Sequence, residues 1–403
     1  MARIAFLDRI PWDYRVDTPR LQPLGGSQSA LCYLAEALAG LGHEVRLVTQ
    51  TTQPGRLRGV DCLSAASGGY ALFDGAEVAI VLNDPDPSVA AALRARLGPG
   101  GLLVLWTQHD VDQPAMASFA EAERMRAWDA VVLVSDWQRR AYLRAFGLEA
   151  ARSAVFGNAM APAFEAPAFE APALEGLVAA TGENVISLKK SGGLAPSPDL
   201  LPAPTLAPTL APTLAYASTP FRGLDVLLDA FPQIRARCPD VRLRVHSSLG
   251  VYQVAEAQDA YRPLYARCRA MAGVDYRGAV PQPALAASLR EVTCFAYPST
   301  FPETFCTAVL EAMAAGCIAV VGDLGALPET TQGLAELVPL GEDAGDYAAR
   351  FADRVVQVLR TPPEAMAERR ARQMRHLAAT ATWPVRARAW SGWLEGVLAA
   401  RRA

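Results

Sequence analysis

Residues suited to holding a metal are few and scattered. The four histidines, His43, His109, His246 and His376, lie far apart with no second ligand at metal spacing, so no metal site is expected. The seven cysteines stand singly, at 32, 62, 238, 268, 294, 306 and 317, without a C-x-x-C pair. That excludes a disulfide framework and reads as buried thiols in a reducing compartment. Charge of one sign is not in excess: the formal net charge is -3, which argues against a nucleic-acid binder. No apolar run is long enough to span a bilayer, and the opening MARIAFLDRIPW has no signal-peptide core. A cytoplasmic protein is expected, with a peripheral membrane contact left open. Glycine is missing just after the first strand candidate, where DRIPWDYRVDTPRLQPL follows Leu7, so the G-x-G-x-x-G of dinucleotide-binding enzymes is excluded.

What is present is apolar sequence in a regular alternation. The chain has 403 residues, 51% of them hydrophobic, enough for two α/β cores. Strand candidates in the first half are Ile4–Leu7, Val45–Thr49, Val78–Leu82, Leu102–Trp106 and Ala130–Val134. Helical spacing follows the first run, at Ala30, Leu31, Leu34, Ala35 and Leu38, and the last, over Trp137–Phe146. The pattern resumes with strand candidates Leu214–Ala217, Val241–Val245, Val274–Arg277, Thr293–Tyr297 and Ile318–Val321, with helices over about Gly223–Arg237 and Thr304–Ala315. Such alternation predicts two doubly wound, Rossmann-like α/β domains. Between them APAFE occurs twice from Ala161, then APALE, and APTL three times from Ala203. Proline at that spacing bars regular helix and central strand, so a low-complexity linker is expected. The Lys189–Gly193 run inside it lacks the phosphate-loop frame and reads as a loop. The expected organisation is domain 1–160, linker 161–213, domain 214–380, and a tail helix over 381–403.

The most informative stretch is YPSTFPETFCTAVLEAMAAGCIAVV, from Tyr297 to Val321. Phe305, Ala308, Val309, Ala312 and Met313 form a buried stripe if a helix opens near Thr304. Glu311 then points roughly 130° from the stripe's centre. Free N–H groups at such a helix start suit a diphosphate, and carboxylates at Glu303 and Glu311 suit sugar hydroxyls. On spacing alone, a dipole-favoured acid at 303 and a solvated one at 311 explain the pattern equally well.

Three further stretches carry candidates. After Leu214–Ala217 come Ser218, Thr219 and then Arg222, a cation able to neutralise a leaving diphosphate. Gly25-Gly26 permits close backbone approach to a ligand, and Ser27 can cap the following helix. His109 follows a buried strand on its C-terminal side, where open α/β sheets place functional groups.

These stretches resemble the retaining GT-B glycosyltransferases called glycosyl transferases group 1 or family 4. The match is to their E-x7-E motif, at Glu303 and Glu311, with Phe301-Pro302-Glu303-Thr304-Phe305 before the helix and Ala312–Gly316 after its last acid. The resemblance implies a GT-B fold, two Rossmann-like domains across a cleft, and hexosyl transfer from a nucleotide-diphosphate sugar. The acceptor would be a glycan, lipid or small molecule, and no separate cofactor is implied. It assigns Glu303 to the donor sugar, Thr304 and Phe305 amides to sugar or phosphate, and Glu311 to the ribose. It places Gly25 and Gly26 over the donor phosphates, Gly278 and Val280 at the base, and His109 beside the reacting sugar. His43 matches a helix-to-strand exit, and His246 a cleft-side strand end. Arg222 matches the second cation of a usual pair; where the first would stand the chain has Ala217-Ser218-Thr219, so Ser218 and Thr219 are expected to donate hydrogen bonds instead. The alternatives are another GT-B enzyme, an epimerase or phosphorylase, and a non-catalytic glycan- or nucleotide-binding module.

Overall fold

The computed structural model describes residues 1–98, 100–120, 122–165 and 211–402. The repeats over 166–210, and the Lys189–Gly193 run, lie outside the described residues. Two sheets organise the rest. The first comprises β1 (Arg3–Leu7), β2 (Glu44–Thr49), β3 (Gly55–Leu57), β4 (Val60–Ser64), β5 (Val78–Leu82), β6 (Leu102–Trp106), β7 (Ala130–Leu133) and β8 (Ser153–Val155). Its order is β3-β4-β2-β1-β5-β6-β7-β8, parallel except for the β3–β4 hairpin. The second comprises β9 (Thr213–Ala217), β10 (Arg242–His246), β11 (Val274–Tyr276), β12 (Cys294–Tyr297), β13 (Ile318–Gly322) and β14 (Glu336–Val338). Its order is β11-β10-β9-β12-β13-β14, parallel throughout.

β5 and β6 are buried at every position, which requires helices over both faces. Strand order reverses direction at β1/β5 in the first sheet and at β9/β12 in the second. Crevices outside the carboxyl ends of strands at such reversals are where open α/β sheets bind ligands. Residues 8, 83–86 and 107–109 leave the first sheet there, and residues 218–222 and 298–303 leave the second.

The structure differs from expectation at strand edges and helix starts. β3, β4, β8 and β14 were not foreseen; they are three to five residues long and mostly only part-buried, so they leave no apolar run of strand length. The helix after Glu303 spans Thr307–Ala314, not Thr304 onward, because Cys306 sits in the left-handed region at φ 69°. The helix after Gly25 begins at Gly26 with Gly25 itself as N-cap, so Ser27 lies in the first turn and does not cap it. Pro162–Phe164 forms a 3-10 turn with Phe164 buried, so the segment expected to open a linker is packed at its start.

The tail helix Trp383–Arg402 follows the second domain but packs on helix Gly26–Gly40 of the first. Trp390 meets Trp106 at 5.4 Å and Phe156 at 4.9 Å between ring centroids. His43 accepts from the Ala2 N–H at 3.1 Å and lies 2.8 Å from the Ser391 hydroxyl, so it is a structural link to that helix. Among the described residues no helix is long and apolar enough to cross a membrane.

Gly223 sets the approach of Arg222 to the loop after β12. It has φ 95°, and a Cβ there would lie 2.0 Å from the Pro298 carbonyl oxygen. Gly223→Ala therefore forces both a strained backbone and a displaced loop. It is expected to destabilise the protein by roughly 2–4 kcal/mol. Urea denaturation checks this, and an unchanged midpoint would contradict the packing described.

Candidate functional site

The loops at the two sheet reversals face one another across a cavity of about 870 Å³. The first domain contributes Asp8, Arg9, Gly26, Asn83, Asp84, Gln108, His109 and Asn158 to its wall. The second contributes Ser218, Thr219, Arg222, Val280, Glu303, Thr304, Phe305 and Glu311. Most of the residues singled out from the sequence thus share one cavity. Gly25 and Gly278 do not line it. Gly25 is held by its neighbours, since a Cβ would lie 2.8 Å from Gln28 Oε1 and 3.1 Å from the Trp12 ring. A Cβ on Gly26 would meet nothing within 4 Å, so its backbone is open to the cavity.

Glu303 is buried and held from three sides. Its carboxylate accepts from Arg222 Nη1 at 2.7 and 2.6 Å, and from the Tyr297 hydroxyl. Its main chain is fixed by Ala326, whose N–H donates to the Glu303 carbonyl at 2.7 Å. Gly325, at φ 63°, allows this approach, because a Cβ would lie 2.6 Å from Glu303 N and O. The carboxylate is therefore no helix-start acid; it stands before a left-handed residue and pairs with a cation. Burial opposes the charge on Arg222, but Glu303 together with Tyr297, Tyr252 and Cys306 outweighs it and holds the guanidinium protonated. The guanidinium also lies over the Phe301 ring at 4.9 Å. Arg222 and Glu303, expected to meet different parts of a ligand, here neutralise one another.

Beside this pair stand groups with unused hydrogen-bonding capacity. Among the described residues no acceptor takes the N–H of Thr304 or Phe305. The Thr219 hydroxyl is buried without a partner, while the Ser218 hydroxyl lies 3.3 Å from that of Tyr297. Across the cavity His109 Nδ1 is buried and unpartnered. Burial lowers the His109 pKa, which favours neutral imidazole at pH 7. Its main chain is pinned, the carbonyl accepting from Gln138 Nε2 at 2.8 Å and Tyr142 Oη at 2.9 Å. His246 is also neutral, pushed down to about 4 by burial and by Arg277 and Arg244. It therefore does not replace the missing second cation.

Glu311 is buried rather than solvated, because the chain at Ala161 and helix Gln282–Arg290 cover that side. Its Oε1 accepts from Gln282 Nε2 at 3.0 Å and Ala161 N at 3.2 Å. Burial pushes its carboxyl pKa up to about 8.

Several site residues escaped the sequence reading. Asp8 is buried at the end of β1 and accepts from Tyr14 Oη at 2.7 Å, Gln28 Nε2 at 3.0 Å and Ile10 N at 3.1 Å. Asn83 holds a left-handed φ of 55° and accepts from Gln108 N at 2.7 Å. The usable signal was position alone: both directly follow strands flanking the reversal in strand order. Glu329 reaches across the domains to accept the N–H groups of Asp136 at 2.7 Å and Trp137 at 3.0 Å. Nothing in its sequence context announces that contact.

Comparison with known proteins bears on both halves. The family described as Glycosyltransferase Family 4 matches residues 24–163, and that described as Glycosyl transferases group 1 matches residues 211–361. Phosphatidyl-myo-inositol mannosyltransferase of Mycobacterium tuberculosis is 33% identical over 143 residues, 35% of each chain. The chain thus spans about a third of that relative's length. The enzyme of the same name from Mycobacterium leprae is 26% identical over 86% of each chain. The structure of sucrose-phosphate synthase from Thermosynechococcus elongatus superimposes with a TM-score of 0.68 at 18% identity, covering 99% of this chain and 100% of that one. The fold is GT-B.

The raised pKa of Glu311 has a measurable consequence. The folded carboxyl titrates near 8, the unfolded one near its ordinary 4.5. Between these values the unfolded chain has released a proton that the folded chain keeps, so stability falls as pH rises through that window and levels off above it. Glu311→Gln keeps an oxygen for Ala161 and Gln282 but removes the titration. The melting temperature of the variant should gain on the wild type by several degrees between about pH 5 and pH 8. Calorimetry across that range checks it; a constant gap would show that the carboxyl is not held protonated.

Proposed function

We propose that this GT-B chain, joining a Glycosyltransferase Family 4 segment to a Glycosyl transferases group 1 segment, is a retaining glycosyltransferase that moves a hexosyl group from a nucleotide-diphosphate sugar to a hydroxyl acceptor. One observation carries the reading. Arg222, Glu303 and the free N–H groups of Thr304 and Phe305 meet on one wall of a cavity whose opposite wall holds His109.

When the bond from the sugar's anomeric carbon to the diphosphate breaks, negative charge grows on the leaving oxygen. A guanidinium and two preorganised amides in a partly water-excluded cleft stabilise that charge more than they stabilise the intact donor. Arg222 reaches a diphosphate by exchanging one anionic partner for another. The exchange releases Glu303 to accept hydrogen bonds from sugar hydroxyls while Tyr297 keeps it oriented. His109, kept neutral by burial, offers a ring nitrogen to the reacting sugar without adding charge. Glu311 lies on the same wall as Val280, at a position suited to the ribose and base. Retention of configuration rests on the likeness of Glu303 and Glu311 to the E-x7-E motif.

The Arg222–Glu303 pair decides which substitutions are informative. Glu303→Ala would strand a buried guanidinium, so Glu303→Gln is the cleaner variant. Turnover should fall by roughly 10²–10³ while nucleoside diphosphates still bind, since Arg222 is freed. Near-normal turnover would remove Glu303 from the reaction. Arg222→Gln should weaken UDP or GDP binding at least about tenfold more than binding of the matching nucleoside. Calorimetric titration measures both, and equal losses would refute a phosphate role. Thermal-shift screening with UDP, GDP, ADP and their sugars identifies the donor.

A further inference from the structure

The wall of the first domain differs in charge from what an anionic acceptor requires. Arg9 is the permanent cation on that wall among the described residues, and it is consumed locally. Its Nη1 lies 3.0 Å from Asp84 and 3.1 Å from Asp86. Asp8, also in the wall, adds a third carboxyl group. Arg9 is thus matched by two carboxylates, so an incoming phosphate would meet like charge and no free cation.

Next to these acids lies unmet capacity of a different kind. Asn83, beside Asp84 in the chain, accepts from Gln108 N at 2.7 Å. The Gln108 side chain is joined to Asn158 through Asn158 Nδ2 and Gln108 Oε1 at 2.9 Å. Gln108 Nε2 and Asn158 Oδ1 are buried with no partner, and Asn158 is only 3% exposed. Two amides joined by one hydrogen bond leave a donor and an acceptor side by side, whichever way both are flipped. A donor and an acceptor so placed match neighbouring hydroxyl groups. Leaving them unpaired in a buried wall is costly, so a ligand supplying both bonds is favoured. The Thr304 hydroxyl donates to the Gln108 carbonyl at 2.7 Å, which sets the amide pair against the segment that carries Glu303.

We propose that this wall, made by Asp84, Asp86, Arg9 and the Gln108–Asn158 amide pair, selects an acceptor presenting neighbouring hydroxyl groups and no anionic group, such as a neutral sugar or cyclitol. The inference rests on the sugar-transfer reading above and narrows its acceptor. It sets the chain apart from relatives named for a phosphorylated lipid.

The test uses the full chain with saturating nucleoside diphosphate and paired probes: glucose, mannose and myo-inositol, each against its monophosphate. Ligand-observed NMR reads binding. At least one neutral probe should bind roughly tenfold or more tightly than its phosphate. In Asp84→Asn/Asp86→Asn, where asparagine still caps helix Pro87–Leu97, Arg9 is released and that preference should shrink or reverse. Asn158→Ala and Gln108→Ala should each weaken the neutral probe, with circular dichroism confirming the fold. Equal or tighter binding of a phosphate by the wild type, no binding by any neutral probe, or an unchanged preference in the double variant would each overturn the proposal. Failure of the sugar-transfer reading shows separately. In that case no nucleoside diphosphate raises the melting temperature, while a neutral probe still binds in preference to its phosphate.

Discussion

An ion pair between the half-buried Arg222 and the buried Glu303 is the constraint around which this cleft is arranged. Each ion would be expensive alone in that position, and breaking such a pair by removing one member costs roughly 3–5 kcal/mol. The surrounding structure treats it accordingly. Tyr297 supplies a hydroxyl to the carboxylate, Phe301 offers its ring to the guanidinium, and Ala326 with Gly325 grips the Glu303 main chain. Gly223 brings Arg222 in by tolerating a backbone conformation and a closeness to Pro298 that no side chain would allow. In the proposed reaction, a ligand anion has to compete with Glu303 for the Arg222 guanidinium. The competition makes charge on the diphosphate, rather than mere occupancy of the cavity, the event that frees Glu303.

Much of the fold was legible from the sequence because parallel sheets covered on both faces leave near-continuous apolar runs. β5 and β6 were read at their observed limits for that reason. Edge strands such as Gly55–Leu57 were not, since a strand paired on one side and half exposed carries no such run. The expected helix start at Thr304 was wrong by three residues, because spacing cannot reveal that Cys306 adopts a left-handed φ. The site divides in the same way. Glu303, Glu311, Arg222 and His109, singled out on a family resemblance of stretches with a recognisable order of strand, loop and helix, line one cavity. Their state was not found. Whether Glu311 is solvated or buried depends on Ala161 and Gln282, respectively 150 and 29 residues away in the chain. Asp8 and Asn83 have no local signature, and only the order of strands within a sheet gives them meaning; Glu329 gains its meaning from the contact with Asp136 and Trp137 across the domains.

The contacts between domains converge on the segment around Glu303 and Glu311. The Thr304 hydroxyl donates to the Gln108 carbonyl of the first domain. Phe305 packs so closely on Gly157 that a Cβ there would lie 2.8 Å from its ring. Glu311 accepts the N–H of Ala161. One helix later, Glu329 satisfies two N–H groups at the start of helix Asp136–Phe146, which an α-helix cannot pair internally. Hinging the sheets apart would therefore break polar contacts at Thr304, Glu311 and Glu329 together. These are also the contacts that fix the free amides of Thr304 and Phe305 relative to His109. The same residues therefore hold the two domains together and shape the cavity wall. The tail helix Trp383–Arg402 adds a further tie between the domains, because Trp390 and Trp393 pack against Trp106 and Phe156 of the first domain although its chain leaves the second. Near the start of that helix the two domains also meet through the main chain, where Met160 N donates to Ala381 O at 3.0 Å.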